Sequence, residues 1–99
     1  MKIFLDDVRE TPEGYVHCYW PSEVIELLKT NQVTELSLDH DLGDDSIGTG
    51  YDVLTWLEEQ VLCHSFTPPP VIKVHSANPV AKQRMLSAIA SIYNYWVQK

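Results

Sequence analysis

Three apolar runs in this 99-residue chain each close on a knot of polar side chains able to do chemistry. KIFL (2–5) ends in Asp6-Asp7, LSL (36–38) in Asp39-His40-Asp41, and VIKV (71–74) in His75-Ser76 with Asn78 close behind. The acids are unevenly spread: Asp6, Asp7, Glu10, Asp39, Asp41, Asp44 and Asp45 are half of the 14 and occupy two short segments. Carboxylates crowded in this way repel one another, and a divalent cation is the simplest compensation. Aspartates from two strands, with a backbone carbonyl, make an octahedral oxygen site for magnesium or manganese, and Asp with His also accommodates zinc. A cation there would neutralise phosphate oxygens and acidify a bound water, and an imidazole beside it could move a proton near neutral pH. Phosphoryl chemistry is therefore the reaction class these residues suit.

The elements that must carry these groups can be read from the same pattern. Residues 2–5, 16–20, 35–38 and 71–75 read as strands, the second from its β-branched and aromatic content. Pro21-Ser22-Glu23 opens a helix whose apolar stripe is Val24, Ile25, Leu27 and Leu28, running to Lys29. A second helix starts at Tyr51, buries Val53, Leu54, Leu57 and Val61, and fades near Cys63. Prolines 68–70 bring an extended chain into the fourth strand. Asn78-Pro79 starts the last helix, with Ala81, Met85, Ile89, Ile92 and Trp96 on its buried side. Pro12 and Gly14 leave 8–15 as a loop, and GDDSIGTG (43–50) is another. Strands alternating with helices require parallel pairing, and parallel sheets place their sites at the carboxyl ends of the strands. The three polar clusters should thus meet on one rim of a single domain, 1–99.

Each candidate also has a structural account. Asp7 and Asp44 suit turn forming, Asn78 suits a helix cap, Ser76 can satisfy a loop amide, and His17 and His64 read as ordinary polar residues. Gly48-Thr49-Gly50 at the second helix start offers amides and the positive end of the helix dipole to an anion. Arg9 or Lys73 could neutralise a phosphate oxygen, although Lys73 alternates with Ile72 and Val74 and could face a helix. Cys18 and Cys63 lack a CxxC spacing and read as buried, reduced and inert. The net charge of −7 excludes a broad electrostatic grip on nucleic acid. No apolar run reaches membrane-spanning length and MKIFLDDVRE turns acidic too early for a signal peptide, so a cytosolic location is expected, with no membrane partner.

IFLDDVR, SLDHDLG, GTGYDVL and VHSANP, in that order, resemble the cyclic-phosphate-processing receiver-like domains, relatives of response-regulator receivers. The resemblance implies a truncated receiver/flavodoxin-like three-layer α/β sandwich, with a four-stranded parallel sheet in order 2-1-3-4 flanked by about three helices. It places Asp6 and Asp7 on the receiver's acidic pair, Asp39 on the phosphoacceptor and Ser76 on the hydroxyl position. Asp41 falls where receivers offer a backbone carbonyl to magnesium. Two features depart from ordinary receivers: the first helix gives way to the 8–15 loop, and the sequence ends before a fifth strand with its phosphate-contacting lysine. His40 and His75 are additions that phosphotransfer does not need. Together these imply that aspartyl-phosphate signalling was abandoned and the metal site kept.

The expectation is a metal-dependent phosphoesterase acting on a cyclic phosphate, such as 2′,3′-cyclic ends of RNA or cyclic nucleotides. Asp6, Asp7, Asp39 and Asp41 would hold magnesium or manganese, His40, His75 and Asp39 would be the catalytic residues with the two histidines as acid and base, and Arg9, Ser76, Asn78, Gly48, Thr49 and Gly50 would contact phosphate or substrate. The alternative is a non-catalytic module that uses the same rim to bind a cyclic nucleotide or a protein partner. A haloacid-dehalogenase-type reading of Asp39-His40-Asp41 ranks last, because too little chain follows for that chemistry's downstream motifs. An open outer edge on the fourth strand, or the aromatic tail Tyr93, Tyr95 and Trp96, would favour a homodimer.

Overall fold

The structure is a computed structural model that describes residues 1–6, 10–39 and 49–98. Four tetrapeptide strands, β1 (Lys2–Leu5), β2 (Tyr15–Cys18), β3 (Glu35–Leu38) and β4 (Val71–Val74), form one parallel sheet in the order β2-β1-β3-β4. Three helices follow β2, β3 and β4 in turn: α1 (Pro21–Leu28), α2 (Gly50–His64) and α3 (Pro79–Val97). The expected sheet order and helix number are present.

The register is level across the sheet. Leu5 lies opposite Cys18 and Leu38, and Leu38 lies opposite Val74. Side chains alternate along a strand, so a level register sorts the whole sheet into two faces. Ile3, Leu5, Cys18, Leu36 and Leu38 share one face and are buried with Val24, Leu28, Val53, Leu57, Met85 and Ile92 from the helices in a single core. Phe4, His17, Ser37 and Lys73 point the other way. Parallel crossovers are right-handed, so the β1→β2 link must run over the opposite face from the β2→β3 and β3→β4 links. That first link carries no helix among its described residues, and α1, α2 and α3 therefore form one layer, α2 packing on both neighbours. Among the described residues the other side of the sandwich carries no helix.

Several boundaries differ from the sequence expectation. β2 ends at Cys18 because Glu23 Oε1 accepts the amides of Tyr19 (3.0 Å) and Trp20 (3.1 Å), turning the chain into α1. Trp96 is 43% exposed rather than buried, and Ala88 joins the core in its stead. The cause is length: a 19-residue helix runs ~28 Å at 1.5 Å per residue. The four-residue strands beneath it span only ~13 Å. Cys63 is exposed, not buried, on the solvent side near the end of α2, whereas Cys18 is buried as expected. No helix among the described residues is long and apolar enough to cross a membrane.

Burial, aided by the charge of Glu23, pushes the Cys18 thiol up to about 11 from 9.0. Only the thiolate is nucleophilic, so the upward shift suppresses reaction until the pH nears that value. Iodoacetamide at near-neutral pH should label Cys63 alone in the folded protein and both cysteines in urea, as read by intact-protein mass spectrometry. Labelling of both cysteines without urea would contradict the packing.

Candidate functional site

Asp6, Asp39 and His75 each stand one residue beyond a strand, and the main-chain ladder continues through all three. Asp6 N donates to Cys18 O (3.2 Å), Asp39 N to Leu5 O (3.1 Å) and His75 N to Leu38 O (3.0 Å). Their backbones are thus fixed at one level on the carboxyl rim. β1 and β3 are also the adjacent strands whose outgoing connections, to β2 and to β4, depart in opposite directions, the switch point where open α/β sheets form their crevice.

The side chains converge. One ligand atom from each of Asp6, Asp39 and His75 lies within 4.8 Å of the others. Asp6 is fully buried and Asp39 is 7% exposed. His75 Nε2 is 3.0 Å from Asp6 Oδ2, and its Nδ1 is 2.7 Å from Ser37 Oγ. A neutral ring with its proton on Nε2 donates to Asp6 and accepts from the Ser37 hydroxyl, while the protonated ring donates to both. The ring also stacks on Phe4, with centroids 4.4 Å apart and planes 3° from parallel. Both nitrogens and one ring face are therefore held. His17 Nε2 lies 2.7 Å from the Asp6 carbonyl oxygen and braces that main chain from β2.

Gly50 has a packing reason. A Cβ at this position would stand 2.0 Å from the Asp39 carbonyl oxygen and 3.0 Å from Met85 Cε. Only glycine lets the first turn of α2 rest on the Asp39 backbone. The neighbouring amides close on the helix itself: Thr49 N donates to Asp52 Oδ2 (2.8 Å) and Tyr51 N to Thr49 Oγ1 (3.2 Å), a reciprocal cap. Asn78 caps α3, its Oδ1 accepting from Val80 N and Ala81 N, both at 3.1 Å. Ser76 is buried, and its Oγ accepts from Asn78 N at 3.2 Å, which leaves the hydroxyl proton to be donated. Lys73 lies 3.6 Å from Glu35, one side-chain step back from the rim on the His75 side of the sheet. Asp7, Arg9, His40, Asp41 and Gly48 lie outside the described residues.

Phe4, Ser37 and His17 were not singled out as site residues by sequence. The available signal was the period of two: a lone serine in ELSL and a histidine in YVHC share a sheet face with Phe4. Burying two carboxylates side by side is costly unless positive charge meets them. Two aspartate oxygens and an imidazole nitrogen are donors that fit manganese or zinc, and magnesium where further oxygens join. A groove of about 710 Å³ lies at the far end of the sheet among Val33, Phe66, Pro68 and Trp96, away from these groups.

The family model for the cyclic-phosphate processing Receiver domain matches residues 1–91. The chain belongs to this family. Comparison of this receiver domain with curated proteins and with solved structures gives no match. The matched span includes all four strands and every residue of the rim cluster.

Gly50→Ala should cost about 1–3 kcal/mol in a urea titration, because the added methyl meets backbone rather than a flexible side chain. It should also weaken manganese binding measured by calorimetry, since Asp39 must move to admit it. Unchanged stability would refute the contact.

Proposed function

We propose that this receiver domain is a metal-dependent phosphoesterase that opens a cyclic phosphate, with 2′,3′-cyclic phosphate ends of RNA and cyclic nucleotides as the substrate class. The observation that carries the reading is the buried Asp6–Asp39–His75 cluster at the switch point. The family's link to cyclic-phosphate processing supports it.

Asp6 and Asp39 would hold the cation, joined by Asp7 and Asp41. When bound, the cation supplies charge for the phosphate oxygens and a more acidic water. His75 is the general acid or base: Ser37 holds Nδ1, and Nε2 would move the proton once the Asp6 carboxylate turns from it to the cation. His40 is assigned the complementary proton transfer. The Ser76 hydroxyl, with its proton available, would donate to a phosphate oxygen, with Arg9 as the cationic partner. Asn78 shapes this corner by starting α3 beside it. The absence of broad positive charge suits a small ester or a single RNA end rather than a long nucleic acid.

Phosphorus NMR on 2′,3′-cyclic nucleotides, a cyclic-phosphate RNA end and 3′,5′-cyclic nucleotides, with and without magnesium or manganese, tests the reading. One of them should convert to a monoester only with metal. His75→Gln should lower the rate by about 10²- to 10⁴-fold, the range for removing a positioned acid–base group, and Asp39→Asn should abolish metal-dependent turnover by removing a cation ligand, with the fold checked by circular dichroism. Metal-dependent binding without conversion would make the domain a binding module, and an unchanged Asp39→Asn rate would refute the assignment.

A further inference from the structure

Tyr19 is a large aromatic residue left 51% exposed on the rim of the candidate site. It and Asp6 each stand one residue beyond the Leu5–Cys18 pair, at the carboxyl ends of adjoining strands. The Tyr19 ring stacks on His17 with centroids 4.1 Å apart and planes at 23°. His17 bonds the Asp6 carbonyl and meets Phe4 edge-on at 6.3 Å, and Phe4 in turn stacks on His75. A continuous run of rings thus leads from His75, just past β4, through Phe4 on β1 to an exposed ring just past β2.

The backbone beneath that ring is fixed as well, because Glu23 holds the Tyr19 amide. A pinned aromatic ring pays little ordering entropy when a second ring lies on it. A chain of charge −7 has little attraction for a ligand's phosphates in general, so ring stacking is the recognition left to it for the rest of a nucleotide. Every nucleobase presents such a face.

We infer that Tyr19, backed by His17, is a stacking platform for the base of a nucleoside cyclic phosphate, and that the substrate is base-bearing rather than a cyclic phosphate of a simple sugar or polyol. The inference rests on the phosphoesterase reading for its substrate, while its binding consequence can be measured independently.

The test compares kcat/KM for a nucleoside 2′,3′-cyclic phosphate with that for glycerol 1,2-cyclic phosphate in wild type, Tyr19→Ala and Tyr19→Phe. Wild type should prefer the nucleotide. Tyr19→Ala should shrink that preference by roughly 5- to 100-fold, chiefly through KM, and Tyr19→Phe should keep it. No preference in wild type, or the same preference in Tyr19→Ala, would overturn the platform. A nucleoside 2′-monophosphate is titrated in parallel with manganese present, followed by calorimetry. Should neither ester turn over, the phosphoesterase reading falls and the titration decides the platform. Binding weakened in Tyr19→Ala would uphold it, and absent or unweakened binding would overturn it.

Discussion

The level register of the parallel sheet is the constraint on which the rest depends. Every strand is four residues long and every pairing is in step, so the residues that follow β1, β3 and β4 arrive at one height. A slip of one residue between β1 and β3 would send Asp6 or Asp39 to the wrong face and bury a polar residue in the core. The apolar face that drives folding and the polar rim that gathers Asp6, Asp39 and His75 are consequently two readouts of a single alignment. Leu5 and Leu38 lock it from the core side. His75, bonded to Asp6 and Ser37, ties β4 to β1 and β3 from the other.

The one-sided helix layer follows from the same connectivity. In a sheet whose first crossover departs one way and whose later ones depart the other, the face served by the first crossover depends on that link alone. Here it supplies no helix among the described residues, and the aromatic and polar residues of that face pack on one another instead. Phe4 sits among Tyr15, His17 and His75, edge-on to two and parallel to the third. A sheet face that elsewhere would bury aliphatic residues under a helix has become the support of a histidine.

Much of this was legible in the sequence. The four apolar runs, the proline and Asn-Pro helix starts and the Asp and His residues closing the runs located the strands, the helices and the rim, because periodicity and end signals are local properties. The strings shared with receiver-like domains supplied the sheet order. What stayed hidden depended on three-dimensional pairing. Ser37 carries no local signal of a role, and only the register of β3 and β4 sets it near His75. His17 read as an ordinary polar residue and serves as one, its ring bracing the Asp6 carbonyl from the neighbouring β2, a contact that no local pattern specifies. Trp96 matched the helical period, yet the helix outruns the strands it covers, and periodicity does not report how long a neighbour is. Gly50 read as a phosphate-loop glycine, and its close approach to Asp39 could be seen only once both backbones were placed.

The bond between His75 and Asp6 joins residues 69 positions apart. Synthesis reaches Asp6 well before its imidazole partner, which comes only with the fourth strand, several seconds later at ~5–20 residues per second. A nascent chain that has paired β1 with β2 and β3 therefore already carries both carboxylates on the rim without the histidine. Among the described strands β4 is the last to be made, so a chain that stalls or is clipped before it keeps Asp6 and Asp39 and lacks the imidazole bonded to Asp6.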